Sequence, residues 1–199
     1  MKSYNKSELR GAAMEYLFTK VSPLLQEEAI RQVQSIFRSS IAPENLITVH
    51  IRWGDKGFEM ELIQIEEYIN AVKSIVEERL IPVVSIYLAT SDPQALIEFA
   101  EAAPSTWKIY KDILFHEYDL NSLMQYNQDE NGHLNMHYDT GGKSGFVALA
   151  SILVAMEANY FVLTTASNWS RLINELRINV VNPRCANCTR MIDLLYDEW

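Results

Sequence analysis

Short apolar runs alternate with longer amphipathic stretches along the chain. Runs rich in β-branched residues at 46–52, 83–89, 107–110 and 159–164 predict four strands. The stretches between them carry apolar residues at helical spacing. Because this alternation is typical of α/β proteins, we expect a Rossmann-like, mainly parallel sheet flanked by helices on both faces.

The expected helices account for most of the remaining chain. Two precede the first strand, one with a stripe of Leu9, Ala13, Leu17 and Val21, and one opened by Pro23. The stripe of the second is expected to be Leu25, Ala29, Val33, Ile36 and Phe37. Later helices are expected at 63–80, 94–102, 144–157 and 169–177. Residues 144–157 are apolar almost throughout, which predicts a fully buried helix.

Two segments carry no clear period. Residues 117–140 are polar and acidic, which predicts a long loop, and the spacing of His116, His133 and His137 fits no standard zinc pattern. Residues 181–199 are expected to form a C-terminal tail. That tail contains both cysteines as Cys185-Ala-Asn-Cys188, which leaves open a disulfide, two free thiols or half a metal site. Metal is the least favoured because no second pair completes a zinc set.

Composition narrows the class of protein. A chain of 199 residues with 48% hydrophobic and 22% charged residues fits a single globular domain, 1–199. The net charge of −9, without a cluster of Lys and Arg, argues against a nucleic-acid partner. The first 18 residues contain no long apolar run, so we expect no signal peptide or membrane-spanning segment there.

The first strand and the turn after it carry the strongest candidate chemistry. In ITVHIRWGDK, residues 47–56, His50 and Arg52 are two apart and share one face of the strand. Ligands of such sheets bind beyond the carboxyl ends of the strands. Arg52 and Lys56 suit a phosphate or diphosphate there. Alternatively, Arg52 pairs with Asp55 to close the loop and His50 is hydrogen-bonded in the core.

Two later turns have related chemistry. Ser91-Asp92-Pro93 is typical of a helix start, with Asp92 accepting backbone N–H bonds. After the fourth strand, Thr165-Ala166-Ser167-Asn168 precedes a helix, and a hydroxyl-rich turn at a helix N-terminus suits a phosphate.

These motifs resemble a known family. HIRWGDK is similar to the H-x-R-x-x-D-K segment of the fucosyltransferase superfamily, which includes core α1,6-fucosyltransferases and protein O-fucosyltransferases. The paired helices around 13–37, IYLATSDP at 86–93 and AMEANYFVLTTASNWSRL at 155–172 agree with that family in order and spacing. The resemblance implies the GDP-fucose-binding half of a GT-B-like enzyme. GDP-fucose is then the donor substrate, no metal cofactor is required, the acceptor is a glycan or a protein, and the compartment is the Golgi or ER lumen.

The resemblance also implies roles for individual residues. His50 would contact the guanine base, Arg52 the diphosphate and Ser167 a phosphate, with Thr165, Asn168 and Asp92 beside the donor. Asp55 and Lys56 match the end of the first motif. The catalytic base is expected at Glu59 or Glu61, although the spacing places Met60 at the base column.

The chain departs from the family at three points. Trp53 stands where many members have a second Arg, and Ser151 stands where they have an Asp that reads guanine. A hydroxyl cannot accept both guanine N–H donors. The other half of the enzyme, which would come from a homodimer partner or a separate N-terminal half, is not matched. Three hypotheses follow: a donor half active with its other half, a non-catalytic nucleotide- or glycan-binding module, and a generic phosphate-binding α/β protein.

Overall fold

A single parallel sheet organises the protein. The computed structural model describes residues 6–53, 62–112 and 143–195. The strands are β1 (Leu46–Ile51), β2 (Ser85–Thr90), β3 (Lys108–Lys111), β4 (Tyr160–Leu163) and β5 (Arg190–Asp193). Their order is β3-β2-β1-β4-β5, and each neighbouring pair is parallel. The predicted Rossmann-like α/β fold is therefore confirmed.

Helices cover both faces of this sheet. The helices are α1 (Lys6–Thr19), α2 (Pro23–Phe37), α3 (Ile65–Arg79), α4 (Pro93–Ala102), α5 (Lys143–Ala155) and α6 (Asn168–Leu176). Side chains of α3 and α4 pack with Ile47, Val49 and Ile51 on one face. Side chains of α2, α5 and α6 pack with Leu46 and Phe161 on the other. A π-helical turn (Arg177–Val181) and a 3-10 turn (Asn182–Arg184) lead from α6 towards β5.

The strand order creates a crevice beside β1. The chain proceeds from β1 through β2 to β3 in one direction, and then crosses to β4 on the other side of β1. The connections at the carboxyl ends of β1 and β4 therefore diverge to opposite faces of the sheet, and such a switch point is where doubly wound sheets bind ligands. All six residues of β1 are buried, so its end is held rigidly at that crevice.

The helix boundaries follow from local chemistry. Ser22 caps α2 by accepting the N–H of Leu25 at 3.3 Å, and Pro23 occupies the first turn. Asp92 caps α4 in the predicted way, its Oδ1 accepting the N–H of Ala95 at 3.0 Å. Helix α3 ends when Leu80 adopts a left-handed conformation with φ 52°.

Two predictions about buried faces were wrong. On α1, Leu9 and Leu17 are 56% and 58% exposed, whereas Met14 and Phe18 pack inward. The physical reason is that α1 contacts α6 and the π-helical turn instead of the sheet, so another stripe is covered. On α5, Phe146 and Leu149 remain exposed because the helix buries only the side that meets α2 and the sheet.

The segment expected to be a tail contributes a strand. β5 pairs with β4 from Arg190 to Asp193, and its four residues are all half-buried, which gives no alternating pattern. The two cysteines before it, Cys185 and Cys188, form a disulfide. The expected loop at 117–140 and its histidines lie outside the described residues. None of the described helices is long and apolar enough to cross a membrane.

Candidate functional site

His50 lies at the crevice end of β1 and is almost fully buried, with 4% of its surface exposed. Its Nδ1 is 2.7 Å from the hydroxyl oxygen of Ser170, on α6. The same Ser170 oxygen accepts the backbone N–H of Thr164 at 3.1 Å. Burial, and then the positive charge of Arg52, lower the pKa of His50 from 6.5 to about 3. The imidazole is therefore neutral at physiological pH.

This environment matches the hydrogen-bonded core role that the sequence left open for His50. A contact between His50 and a guanine base stays a prediction. Ser170, which the sequence analysis did not single out, is the residue that holds the ring.

Arg52 lies two residues beyond His50 and is half-buried. Its Nη1 donates to the hydroxyl of Ser91, at 3.3 Å, just after β2. The end of β1 is thus joined to the segment after β2 by Arg52 and to α6, after β4, by His50. The alternative ion pair with Asp55 involves a residue outside the described part of the chain.

The turn after β4 is held by the edge strand. Asp193 of β5 accepts the backbone N–H of Thr165 at 2.9 Å and also its hydroxyl proton. Arg171 donates through Nε to the carbonyl of Thr165 and through Nη1 to the side-chain oxygen of Asn168, at 3.2 Å. Thr165 and Asn168 therefore shape the turn through these polar atoms, and their contacts with a donor stay predictions.

The N-terminus of α6 opens at this turn. Ser167 is the N-cap residue and 3% exposed, yet its side chain accepts no capping bond from the helix. The N–H of Arg171 reaches the carbonyl of Ser167 at 2.9 Å, the first bond of the helix. The N–H groups of residues 168–170 precede that bond and are available for an anion, which the helix dipole also favours.

Two hydroxyls are buried beneath the crevice, on the face covered by α3. Thr164 Oγ1 is inaccessible and has no hydrogen-bond partner of ordinary geometry among the described residues. The Tyr68 hydroxyl on α3 nevertheless lies near enough to interact with it. Burial raises the pKa of Tyr68, and the contact with Thr164 offsets part of that rise.

Ser151 on α5 belongs to a buried polar cluster at the end of β3. Its hydroxyl donates to Asp112, and the Tyr87 hydroxyl donates to the same carboxylate oxygen at 2.8 Å. Burial, followed by the Asp112 charge, raises the pKa of Tyr87 well above its ordinary value. Asp112 was missed by the sequence analysis. Its carboxylate lies beside Ser151, the position where the resemblance expects an Asp.

The described residues on either side of 54–61 contact each other. The indole N–H of Trp53 donates to the carbonyl of Ile63 at 3.0 Å, and the Trp53 ring packs against the core under α3. Trp53 therefore ties the end of β1 to the approach to α3. The predicted catalytic residues Asp55, Lys56, Glu59 and Glu61 lie between these points, outside the described residues.

The fold is that of a doubly wound α/β protein, and the crevice lies at its switch point. Within residues 6–53, 62–112 and 143–195, no group of three or more His, Cys, Asp or Glu side chains could hold a metal ion. A scan against protein-family models finds no match to this chain. A search of curated protein sequences finds no significant match either.

Proposed function

We propose that the chain binds a nucleotide sugar of the GDP-fucose type at the carboxyl ends of β1 and β4. It would serve as the donor half of a fucosyltransferase-like glycosyltransferase. One observation carries the proposal: the end of β1 contacts the segments that follow both neighbouring strands. His50 bonds to Ser170 at 2.7 Å, and Arg52 bonds to Ser91 at 3.3 Å. These are the three segments whose sequences resemble the donor site of that family.

The groups around the crevice suit a diphosphate. Arg52 supplies a guanidinium, which binds phosphate oxygens in pairs. Further donors are the N–H groups in the first turn of α6 and the hydroxyl of Ser167, the N-cap residue, which makes no capping bond. Because the two sources belong to neighbouring strands, they could contact adjacent phosphates of one ligand.

The proposed role in catalysis depends on more than this site. Lys56 would assist the diphosphate leaving group, and Asp55, Glu59 and Glu61 would organise or perform proton transfer. Sugar transfer also needs an acceptor hydroxyl held close to the donor carbon, and effective molarities from such positioning supply roughly 7 to 11 kcal/mol of a barrier. The acceptor wall would come from a homodimer partner or a second half.

Titration calorimetry of the full chain with GDP, GMP and ATP tests the proposal. Binding of GDP in preference to GMP and ATP is the expected result, because the proposed ligand is a sugar carried on guanosine diphosphate. The proposal would be overturned if none of the three nucleotides binds, or if ATP is preferred.

Arg52→Ala should abolish most of the GDP affinity. A matched control is Arg79→Ala at the far end of α3, where the Arg79 side chain is 44% exposed and pairs with Glu78 at 3.4 Å. The control should bind GDP like the unaltered chain.

A further inference from the structure

Every hydrogen bond of the buried Ser170 hydroxyl can be assigned. A serine hydroxyl has one proton to donate and two lone pairs that accept. One lone pair takes the N–H of Thr164, at 3.1 Å. The remaining neighbour is His50 Nδ1, at 2.7 Å, and Ser170 is 0% exposed. Solvent therefore cannot receive the serine proton.

Elimination decides the direction of the bond between Ser170 and His50. If Nδ1 carried the imidazole proton, Ser170 would accept twice and its own proton would have no acceptor among the described residues. A buried donor without a partner is costly. If Ser170 instead donates to Nδ1, every hydrogen of this group is satisfied, and the neutral ring carries its proton on Nε2.

We propose that Ser170 is a positioning residue that holds His50 in the Nε2–H tautomer, so that His50 offers an N–H donor to an acceptor atom of the bound nucleotide. The tautomer follows from the residues alone, whereas the contact with the ligand rests on the proposed function. No described residue accepts a hydrogen bond from Nε2. Nε2 is not one of the fully buried polar atoms that lack a partner, so water reaches it in the unliganded chain, and an acceptor atom of a ligand in the crevice would replace that water.

This assignment has a chemical consequence. A fixed N–H can stabilise negative charge on a phosphate oxygen, but it cannot remove a proton from an acceptor hydroxyl. His50 is then a binding group, and proton abstraction falls to another residue. The arrangement also selects ligands with an acceptor atom at this point, since a donor there would face Nε2–H.

The tautomer can be read directly by NMR. Long-range ¹H–¹⁵N correlation spectra of the unliganded full chain distinguish a pyrrole-type nitrogen, which carries a proton, from a pyridine-type nitrogen, which does not. The chain has four histidines, so loss of one signal set in His50→Asn assigns the ring. We expect Nε2 to be pyrrole-type and Nδ1 pyridine-type. A pyrrole-type Nδ1, or an imidazolium at neutral pH, would overturn the assignment.

Variants of Ser170 test whether it sets the tautomer. Ser170→Ala should give a mixture of tautomers and roughly three- to tenfold weaker GDP binding, the scale of one neutral hydrogen bond. Ser170→Thr keeps the hydroxyl and should restore both properties. An unchanged tautomer in Ser170→Ala would refute the positioning role.

The matched control is Thr48→Val, on the same strand and face. Thr48 is buried and donates its hydroxyl to the carbonyl of Ala155 at 2.8 Å, so the substitution removes a comparable hydrogen bond without touching His50. It should cost stability and leave the tautomer unchanged. If Ser170→Ala fails to fold, the spectrum of the unaltered chain and the Ser170→Thr variant still decide the tautomer.

Addition of GDP separates the two parts of the inference. A change in the Nε2 shift on binding supports the ligand contact. If GDP binds and Nε2 does not respond, the N–H meets only water and the contact is refuted. If GDP does not bind while Nε2–H is observed, the proposed function fails but the role of Ser170 stands.

Discussion

Acidification should destabilise this protein through His50. The folded pKa of His50 is about 3, below the ordinary value of 6.5, because the ring is buried without an anionic partner. Between those pH values His50 binds a proton in the unfolded chain but not in the folded chain. The stabilising contribution is therefore complete above about pH 6.5 and is lost as the pH falls towards 3. Each pH unit in that window costs about 1.4 kcal/mol.

At pH 5 the expected loss from His50 is about 2 kcal/mol relative to pH 7.5, since pH 5 lies about 1.5 units below the unfolded pKa. Urea unfolding at pH 7.5, 6 and 5 measures it. His50→Asn is the reference because an amide can accept the Ser170 proton and does not titrate. The carboxylates and the other histidines are common to both chains. A difference between the chains in how the free energy of unfolding depends on pH is therefore due to His50. If the free energy of unfolding depends on pH equally in both chains, the lowered pKa of His50 is refuted, and the ring is charged or hydrated in the folded state.

Four other outcomes are expected. Arg52→Ala should weaken GDP binding by about 1.5 to 3 kcal/mol in calorimetry, the scale of a lost charge-assisted bond, and unchanged affinity would mean that Arg52 is structural. Asp92→Ala should lower the free energy of unfolding by about 1 kcal/mol because Ala95 loses its cap, whereas Asp92→Asn should cost less. Asp193→Ala should lower it by about 2 kcal/mol because both bonds to Thr165 are lost, and a loss below 0.5 kcal/mol in urea unfolding would contradict this estimate. The chain alone should transfer no fucose from labelled GDP-fucose to glycan or peptide acceptors, and transfer at ordinary enzyme rates would show that a homodimer supplies the second wall or that none is needed.

The sheet could be predicted where burial on both faces left a mainly apolar run. β1, β2 and β4 lie between helix layers, so nearly all of their residues are buried and most are apolar. β5 lies at the edge of the sheet and its four residues are all half-buried. An edge strand of Arg-Met-Ile-Asp carries no period of its own, and its pairing with β4 is a long-range property. The α1 stripe failed for the same reason, because its partner lies far along the chain.

For the site, single residues at the end of a strand could be located from the sequence, but their partners could not. His50 and Arg52 stood out because polar side chains ended a mainly apolar run. Ser170 and Asp112 did not, since each looks like an ordinary polar residue within or beside its element. Their importance comes from distances between residues that are 120 and 39 positions apart. Only the strand order brings such pairs together.

The two sides of the crevice are held by different interactions, and this decides which substitutions can separate binding from folding. On the β4 side, Thr165 is bound through its N–H, hydroxyl and carbonyl to Asp193 and Arg171. A change there alters the turn before it alters any ligand contact. The α6 donors are backbone N–H groups, which no substitution other than proline removes. On the β1 side, Arg52 is half-buried and donates to the hydroxyl of Ser91. Arg52→Ala removes the guanidinium that would contact a phosphate. Urea unfolding of that variant shows whether its stability is kept. If it is, loss of GDP affinity reports on the site itself, whereas the same loss in a Thr165 or Asp193 variant reports on the turn.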